Sequence, residues 1–206
     1  MTFCPISKTN PLLLASASPR RKNLLEQLNL PFRSRTSRIE ETGLRGKPEE
    51  VCRNLAEKKA GAVYREAEAS WILGADTLVV VDDHVLGKPR DAGDACRMLQ
   101  LLSGRDHRVM TGLCLLDPSG SPVHKETAIT RVRFKILSQR EIEDYVKTGE
   151  PFGKAGSYAV QGLGAFMVAS IYGSYTNVVG LPLCALIRAL LRVGALHRFP
   201  LPGTSS

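Results

Sequence analysis

"LLLASASPRRKNLLEQL", Leu12 to Leu28, decides how the chain is read. Three leucines open it. Ser16, Ala17, Ser18 and Pro19 follow, then Arg20 and Arg21, then Leu24, Leu25 and Leu28 at helical spacing. A short buried strand therefore runs through a small-residue loop into a helix that starts after a proline. A helix start exposes unsatisfied N–H groups and the positive end of the helix dipole. Ser16 and Ser18 add hydroxyls, and Arg20 can clamp a phosphate through paired N–H groups. The pattern allows an anion cradle. It equally allows a Ser18 that only caps the helix, since serine is a favoured cap. It does not fit a secretion leader, whose apolar core runs for roughly 7–15 residues.

Composition narrows the classes. The 206 residues are 43% hydrophobic and 23% charged, which suits a globular chain with a real core. No apolar run approaches the ~20 residues that span a membrane. The stretch from Val178 to Ile187 is broken by Gly180 and Pro182. The five cysteines, Cys4, Cys52, Cys96, Cys114 and Cys184, form no CxxC and no cluster with histidine. A reduced, cytoplasmic setting is expected. The net charge of +8 favours an anionic partner: nucleic acid, nucleotide or membrane surface.

Outward from the opening stretch, strands and helices alternate. Pro31 to Ser37 reads as a strand and Pro48 to Glu68 as an amphipathic helix. "WILGADTLVVVDD" reads as a strand, a glycine and a second strand. "GDACRMLQLLSG" is a helix closed by Gly104. "HRVMTGLCLLD" is a strand, and Ala128 to Leu137 alternates like a half-exposed one. Ser138 and Glu141 form a capping box. "SYAVQGLGAFMVASIYGS" reads as strand, glycine turn, strand. "LPLCALIRALLRVG" is the closing helix. This is an α/β pattern. Strand pairs near 72–86 and 109–137 lack intervening helices, so a mixed sheet is expected. Residues 1–10 and 197–206 lack periodicity and are expected to be flexible ends.

Several residues could carry chemistry. Asp76 in "ILGADTLVV" lies between strongly apolar runs, where a carboxylate is costly unless paired or metal-bound. It reads as a metal ligand, a general base or a turn residue. Lys58 and Lys59 lie on the helix after Pro48, and Lys88 precedes Pro89. Glu40 and Glu41 are an acidic pair that could join Asp76 at a cation. Gln161 precedes two glycines in "QGLG", and its amide both donates and accepts. His84, His107, His124 and His197 have no spacing for metal or catalysis, and there is no GxSxG elbow. Metal-assisted attack by water is favoured over a serine nucleophile.

At this point "ASASPRR", "AEKKA", "GADT", "LGKPRD", "LSGRDHRVMTG", "YVKTGEPFGKAGSYAVQGLG" and "GSYTNVVGLPL" together resemble the Maf family of nucleoside triphosphate pyrophosphatases. The resemblance runs from about Leu12 to the final helix. It implies a two-lobed catalytic domain over 11–196, with an elongated mixed sheet, flanking helices and a central cleft, like the inosine triphosphate pyrophosphatases. It implies cleavage between the α and β phosphates to a nucleoside monophosphate and pyrophosphate. It also implies a divalent metal (Mg²⁺ or Mn²⁺), a cytoplasmic homodimer, removal of noncanonical nucleotides and a link to septum formation and cell-division arrest.

Residue by residue, the resemblance makes Asp76 the proton acceptor. Ser16, Ser18, Arg20, Lys59 and Lys88 become phosphate binders, and Glu41 joins Asp76 at the metal. A 7-methyl-GTP branch of the family has tryptophan, glutamine and glutamate where this chain has Arg20, Thr77 and Gln161. The triplet here resembles the dTTP/UTP branch. The rival readings are a basic nucleic-acid-binding protein and a nucleotide-binding regulator without activity. Only 6% of residues are aromatic, and they do not alternate with Lys and Arg in a stacking pattern, which disfavours the first. The intact Asp76 and lysines disfavour the second.

Overall fold

The computed structural model describes residues 3–39, 46–64 and 70–201. In chain order the elements are β1 (Leu12–Leu14), α1 (Pro19–Gln27), β2 (Phe32–Ser34), α2 (Pro48–Tyr64), β3 (Ile72–Val81), β4 (His84–Leu86) and α3 (Ala92–Leu102). Then come β5 (Asp106–Leu116), β6 (Pro122–Phe134), α4 (Gln139–Lys147), 3-10 turns at Ala155–Ser157 and Leu163–Met167, β7 (Val168–Tyr172), α5 (Tyr175–Val179) and α6 (Leu183–Arg192). The strands form one sheet in the order β2-β1-β3-β5-β6-β7, with β4 on β3. β1 is parallel to both β2 and β3, whereas β3–β4 and β6–β7 are antiparallel. The sheet is mixed, as the helix-free strand pairs implied. No described helix is long and apolar enough to cross a membrane.

The chain packs as two units. One holds Met1–Asp76, Thr111–Ala128 and Gly180–Ser206; the other holds Thr77–Met110 and Ile129–Val179. In the first, α2 buries Cys52, Ala56, Lys59, Ala60 and Val63, one helical face. That face packs with Ala15, Ile72, Cys114 and Leu116. The chain before β1 is anchored too. Ile6 is buried and its N–H donates to the Ala195 carbonyl (2.8 Å), and the Trp71 indole N–H donates to the Cys4 carbonyl (2.9 Å).

The second unit centres on Val79, Leu99, Val109, Val132, Phe134 and Ile142. Thr130, Val132 and Phe134 are buried and their β6 neighbours exposed, the alternation of a half-exposed strand. Ser138 accepts from the Glu141 N–H, and Glu141 accepts from the Ser138 N–H, closing the capping box before α4. Gly104, at φ +66, follows α3 where a left-handed residue ends the helix.

Two segments differ from their sequence pattern. β3 runs unbroken through Gly74 and Asp76 instead of turning at the glycine. The glycine answers a packing need, since a Cβ at Gly74 would overlap the Ala56 carbonyl oxygen of α2. Tyr158 to Val160 form no strand, and Leu163–Met167 is a 3-10 turn. Backbone N–H groups here bond to side chains instead of a neighbouring strand.

Candidate functional site

The first unit contains a reversal of winding. From β1 the chain passes through α1 to β2 on one side, then through α2 to β3 on the other. β1 and β3 are parallel, in register at Leu13–Ile72 and Leu14–Leu73. The place just beyond the C-terminal end of β1, against the middle of β3, is a topological switch point, the kind of position where parallel sheets bind ligands. Ser16 follows β1 there, and Asp76 lies three residues past Leu73 on β3.

Asp76 is buried and its Oδ1 is ion-paired with the Lys59 ammonium of α2. The side chains retain 8% and 10% of their exposure, so each charge depends on the other. Lys58, next along the helix, is exposed. The pairing follows from strand and helix geometry. Gly74 and Asp76 share one face of β3, and Gly74 lets the α2 backbone close on that face. Cys52, one helical face below Lys59, locks the same contact. Its thiol donates to the Asp76 carbonyl (3.0 Å) and its sulfur accepts from the Gly112 N–H (2.9 Å). A Cβ at Gly112 would overlap the Cys52 carbonyl oxygen.

The serine loop is built around Arg21. Its Nε donates to the Gly180 carbonyl (2.8 Å) and its Nη1 to Ser16 Oγ (3.2 Å). Ser16 Oγ also accepts from the Ser18 N–H (3.2 Å). Two donors occupy the oxygen's lone pairs, which leaves its own hydrogen to donate outward. Ser18 makes no side-chain cap to α1, so capping does not explain it. Pro19, the first helical residue, has no N–H to satisfy. Ser18 and Arg20 are half-buried at the same helix start.

The second unit holds Thr77, Lys88 and Gln161. Thr77 is half-buried and follows Asp76 on β3, with its side chain on the opposite strand face. Lys88 is exposed after β4, in a loop whose Gly87 carbonyl accepts from the Gly156 N–H (3.0 Å). Gln161 is exposed, just before the Leu163–Met167 turn. Glu150 reaches that segment, accepting from the Leu163 N–H (3.0 Å), the Gly164 N–H (2.8 Å) and Tyr145 Oη (2.7 Å). Burial pushes the Glu150 carboxyl up, but these three hydrogen bonds and nearby Lys154 outweigh it and hold its pKa below the usual value. Glu41 lies outside the described residues.

Among the described residues no group of three or more His, Cys, Asp or Glu could hold a metal ion. One or two carboxylates plus substrate phosphates are the usual holding set for Mg²⁺; the described carboxylate here is Asp76, whose Oδ1 already faces the Lys59 ammonium.

Three supporting residues, Arg21, Cys52 and Glu150, carry no assigned role in the motifs. Arg21 carries a signal all the same, because it shares the buried helix face of Leu24 and Leu25. Cys52 and Glu150 carry none, since their partners lie elsewhere in the chain.

The model of the Maf-like protein family matches residues 11–193. The chain belongs to that family. Its relatives include proteins named dTTP/UTP pyrophosphatase. The one from Geobacter sp. (strain M21) is 50% identical over 92% of this chain and 98% of its own. The one from Ruminiclostridium cellulolyticum is 50% identical over 84% and 90%, and that from Halalkalibacterium halodurans 50% over 92% and 99%. A solved structure, a nucleoside-triphosphatase / dITP/XTP pyrophosphatase from Mycobacterium abscessus, is similar at 14% identity and TM-score 0.42, over 90% of this chain and 97% of that one. In this Maf-like chain the "GADT", "AEKKA" and "SPRR" motifs supply Asp76, its partner Lys59, and the Arg21 that holds Ser16.

Proposed function

We propose that this Maf-like protein hydrolyses dTTP and UTP, and modified pyrimidine nucleotides, to the nucleoside monophosphate and pyrophosphate. The observation that carries this reading is half-identity, over nearly the whole chain, to proteins named for that activity. The buried carboxylate–ammonium pair beside a helix-start anion cradle supports it chemically.

Ser16 donates its hydroxyl hydrogen to a phosphate oxygen, and the start of α1 adds its positive dipole end. Arg20, Lys59 and Lys88 neutralise phosphate charge. Asp76 orients the attacking water and takes its proton. The water oxygen bonds to the α-phosphorus, the α–β bridge bond breaks, and its electron pair leaves with pyrophosphate. Asp76 and Glu41 would hold Mg²⁺ or Mn²⁺, which would supply charge stabilisation to the phosphates when bound. Thr77 and Gln161, with Arg20, select the base. The family resemblance further supports a cytoplasmic homodimer that clears unwanted nucleotides.

The test is a panel of nucleoside triphosphates with Mg²⁺ or Mn²⁺, scoring monophosphate and pyrophosphate. dTTP and UTP should be the preferred substrates. A preference for 7-methyl-GTP, or release of single phosphate in place of pyrophosphate, overturns the reading.

A further inference from the structure

The segment carrying Gln161 is held by one carboxylate. Glu150 Oε1 accepts from the Leu163 N–H (3.0 Å), and Oε2 accepts from the Gly164 N–H (2.8 Å) and from Tyr145 Oη (2.7 Å). The Tyr145 hydroxyl in turn accepts from the Ala159 N–H (3.2 Å). Ala159 lies two residues before Gln161, and Leu163 two residues after. Between them Gly162 has φ +132, and a Cβ there would overlap Glu150 Oε1. The backbone on both flanks of Gln161 is therefore tied to one phenol–carboxylate pair.

Apolar burial does not do this work. Gln161, Gly162 and Leu163 are all exposed, Leu163 at 61%. The turn is ordered by hydrogen bonds to a charged acceptor, which are stronger than neutral ones. A carboxylate suits the task because it accepts several donors and offers no hydrogen of its own. Glutamine at 150 would set an N–H₂ against one of the N–H or O–H donors.

We infer that Glu150 is the positioning residue for nucleobase selection, holding the 159–164 segment so that the Gln161 amide meets the pyrimidine edge. This rests on the reading of Gln161 as a base-selecting side chain. Glu150 acts through the Leu163 and Gly164 N–H groups and through Tyr145.

The experiment measures pyrophosphate release from dTTP, UTP and GTP by the full chain and by Glu150→Gln, Leu163→Pro, Gln161→Ala and the Glu150→Gln/Gln161→Ala double variant, with thermal melts alongside. Glu150→Gln should raise KM for dTTP and UTP about tenfold while kcat falls much less, so that the preference for dTTP over GTP drops about tenfold, the worth of one charged hydrogen bond. In the double variant Glu150→Gln should remove no further preference, since no amide is left to position. Leu163→Pro deletes one donor to Oε1 at the first position of a helical turn, where proline is tolerated, and buries no new charge. It should lower the preference in the same direction by about threefold, even if Glu150→Gln fails to fold. Wild-type preference in both Glu150→Gln and Leu163→Pro, alongside a lost preference in Gln161→Ala, overturns the assignment, as do additive losses in the double variant. An unchanged preference in Gln161→Ala overturns the base-selecting role itself, and the assignment with it.

Discussion

The two units bury polar groups in different ways. The first buries full charges: Lys59 against Asp76, and Arg21 on a carbonyl and a hydroxyl. At the centre of the second the polar groups are neutral. His107 Nε2 meets Tyr158 Oη at 2.9 Å, and both rings stand edge-to-face with Phe134. Asn177 donates to the Val109 carbonyl (3.0 Å) and to Thr130 Oγ1 (2.9 Å). Asp94, the buried acid of that unit, sits in the first turn of α3 with exposed Arg97 and Arg90. A buried ion pair is a poor source of stability compared with apolar packing. A hydrogen-bonded neutral network fixes one packing arrangement, here at the cost of a buried His107 Nδ1 with no hydrogen-bond partner among the described residues. The first unit keeps its ions beside the C-terminal end of β1 and the middle of β3, where the proposed chemistry needs them. The second uses its buried polarity to fix shape.

Substitutions can break that contrast. The largest effect is expected from Asp76→Asn, which keeps the side chain's size but removes the proposed base. Pyrophosphate release should fall at least about a hundredfold. A variant with wild-type turnover would reduce Asp76 to a structural ion.

Next is Lys59→Met, which leaves a buried carboxylate without its counter-charge. Urea unfolding should show a loss of about 3–5 kcal/mol. The Lys59→Met/Asp76→Leu pair should recover most of that stability and none of the activity. A stable, active double variant would erase the distinction between the units.

In the second unit the matching probe is pH. Burial pushes His107 down to about 4 from its ordinary 6.5. Above pH 6.5 the ring is neutral in both folded and unfolded chains. Between 6.5 and 4 only the unfolded chain takes up the proton, so stability falls as pH falls, by about 3 kcal/mol across that window. His107→Gln should flatten this part of the stability–pH curve relative to wild type. Parallel curves would mean that His107 titrates normally.

The smallest effect is a gain. Gly61 lies on the exposed side of α2, where a Cβ would meet nothing within 4 Å. Gly61→Ala should add about 1 kcal/mol from helix propensity. Gly74→Ala, on the strand that α2 touches, should instead cost about 3 kcal/mol, because the added methyl meets helix backbone. Equal effects at the two glycines would show that α2 does not set the Lys59–Asp76 contact.

Much of this architecture is legible in local sequence patterns. The turn into α1, the buried face of α2 and the Ser138–Glu141 box each form where their period or cap places them. Asp76 stands out because a carboxylate among buried strand residues needs a partner. Arg21 is legible through its spacing with Leu24 and Leu25. The anchoring of Ile6 and Trp71 is not, since their partners are far away in the chain.

The amino-acid sequence by itself determined the α/β alternation, the mixed sheet, and the residue types proposed to surround a phosphate. These follow from periods of 2 and 3.6 and from backbone chemistry at helix ends, which a chain carries in its local order. Only the tertiary structure decided that Lys59 and not Lys58 meets Asp76. It alone carried β3 straight through Gly74, aimed the Ser16 hydroxyl by way of Arg21, and closed the Gln161 segment on Glu150. Each of these depends on close approach of backbones or donors from separate elements, and no local pattern records which elements will touch.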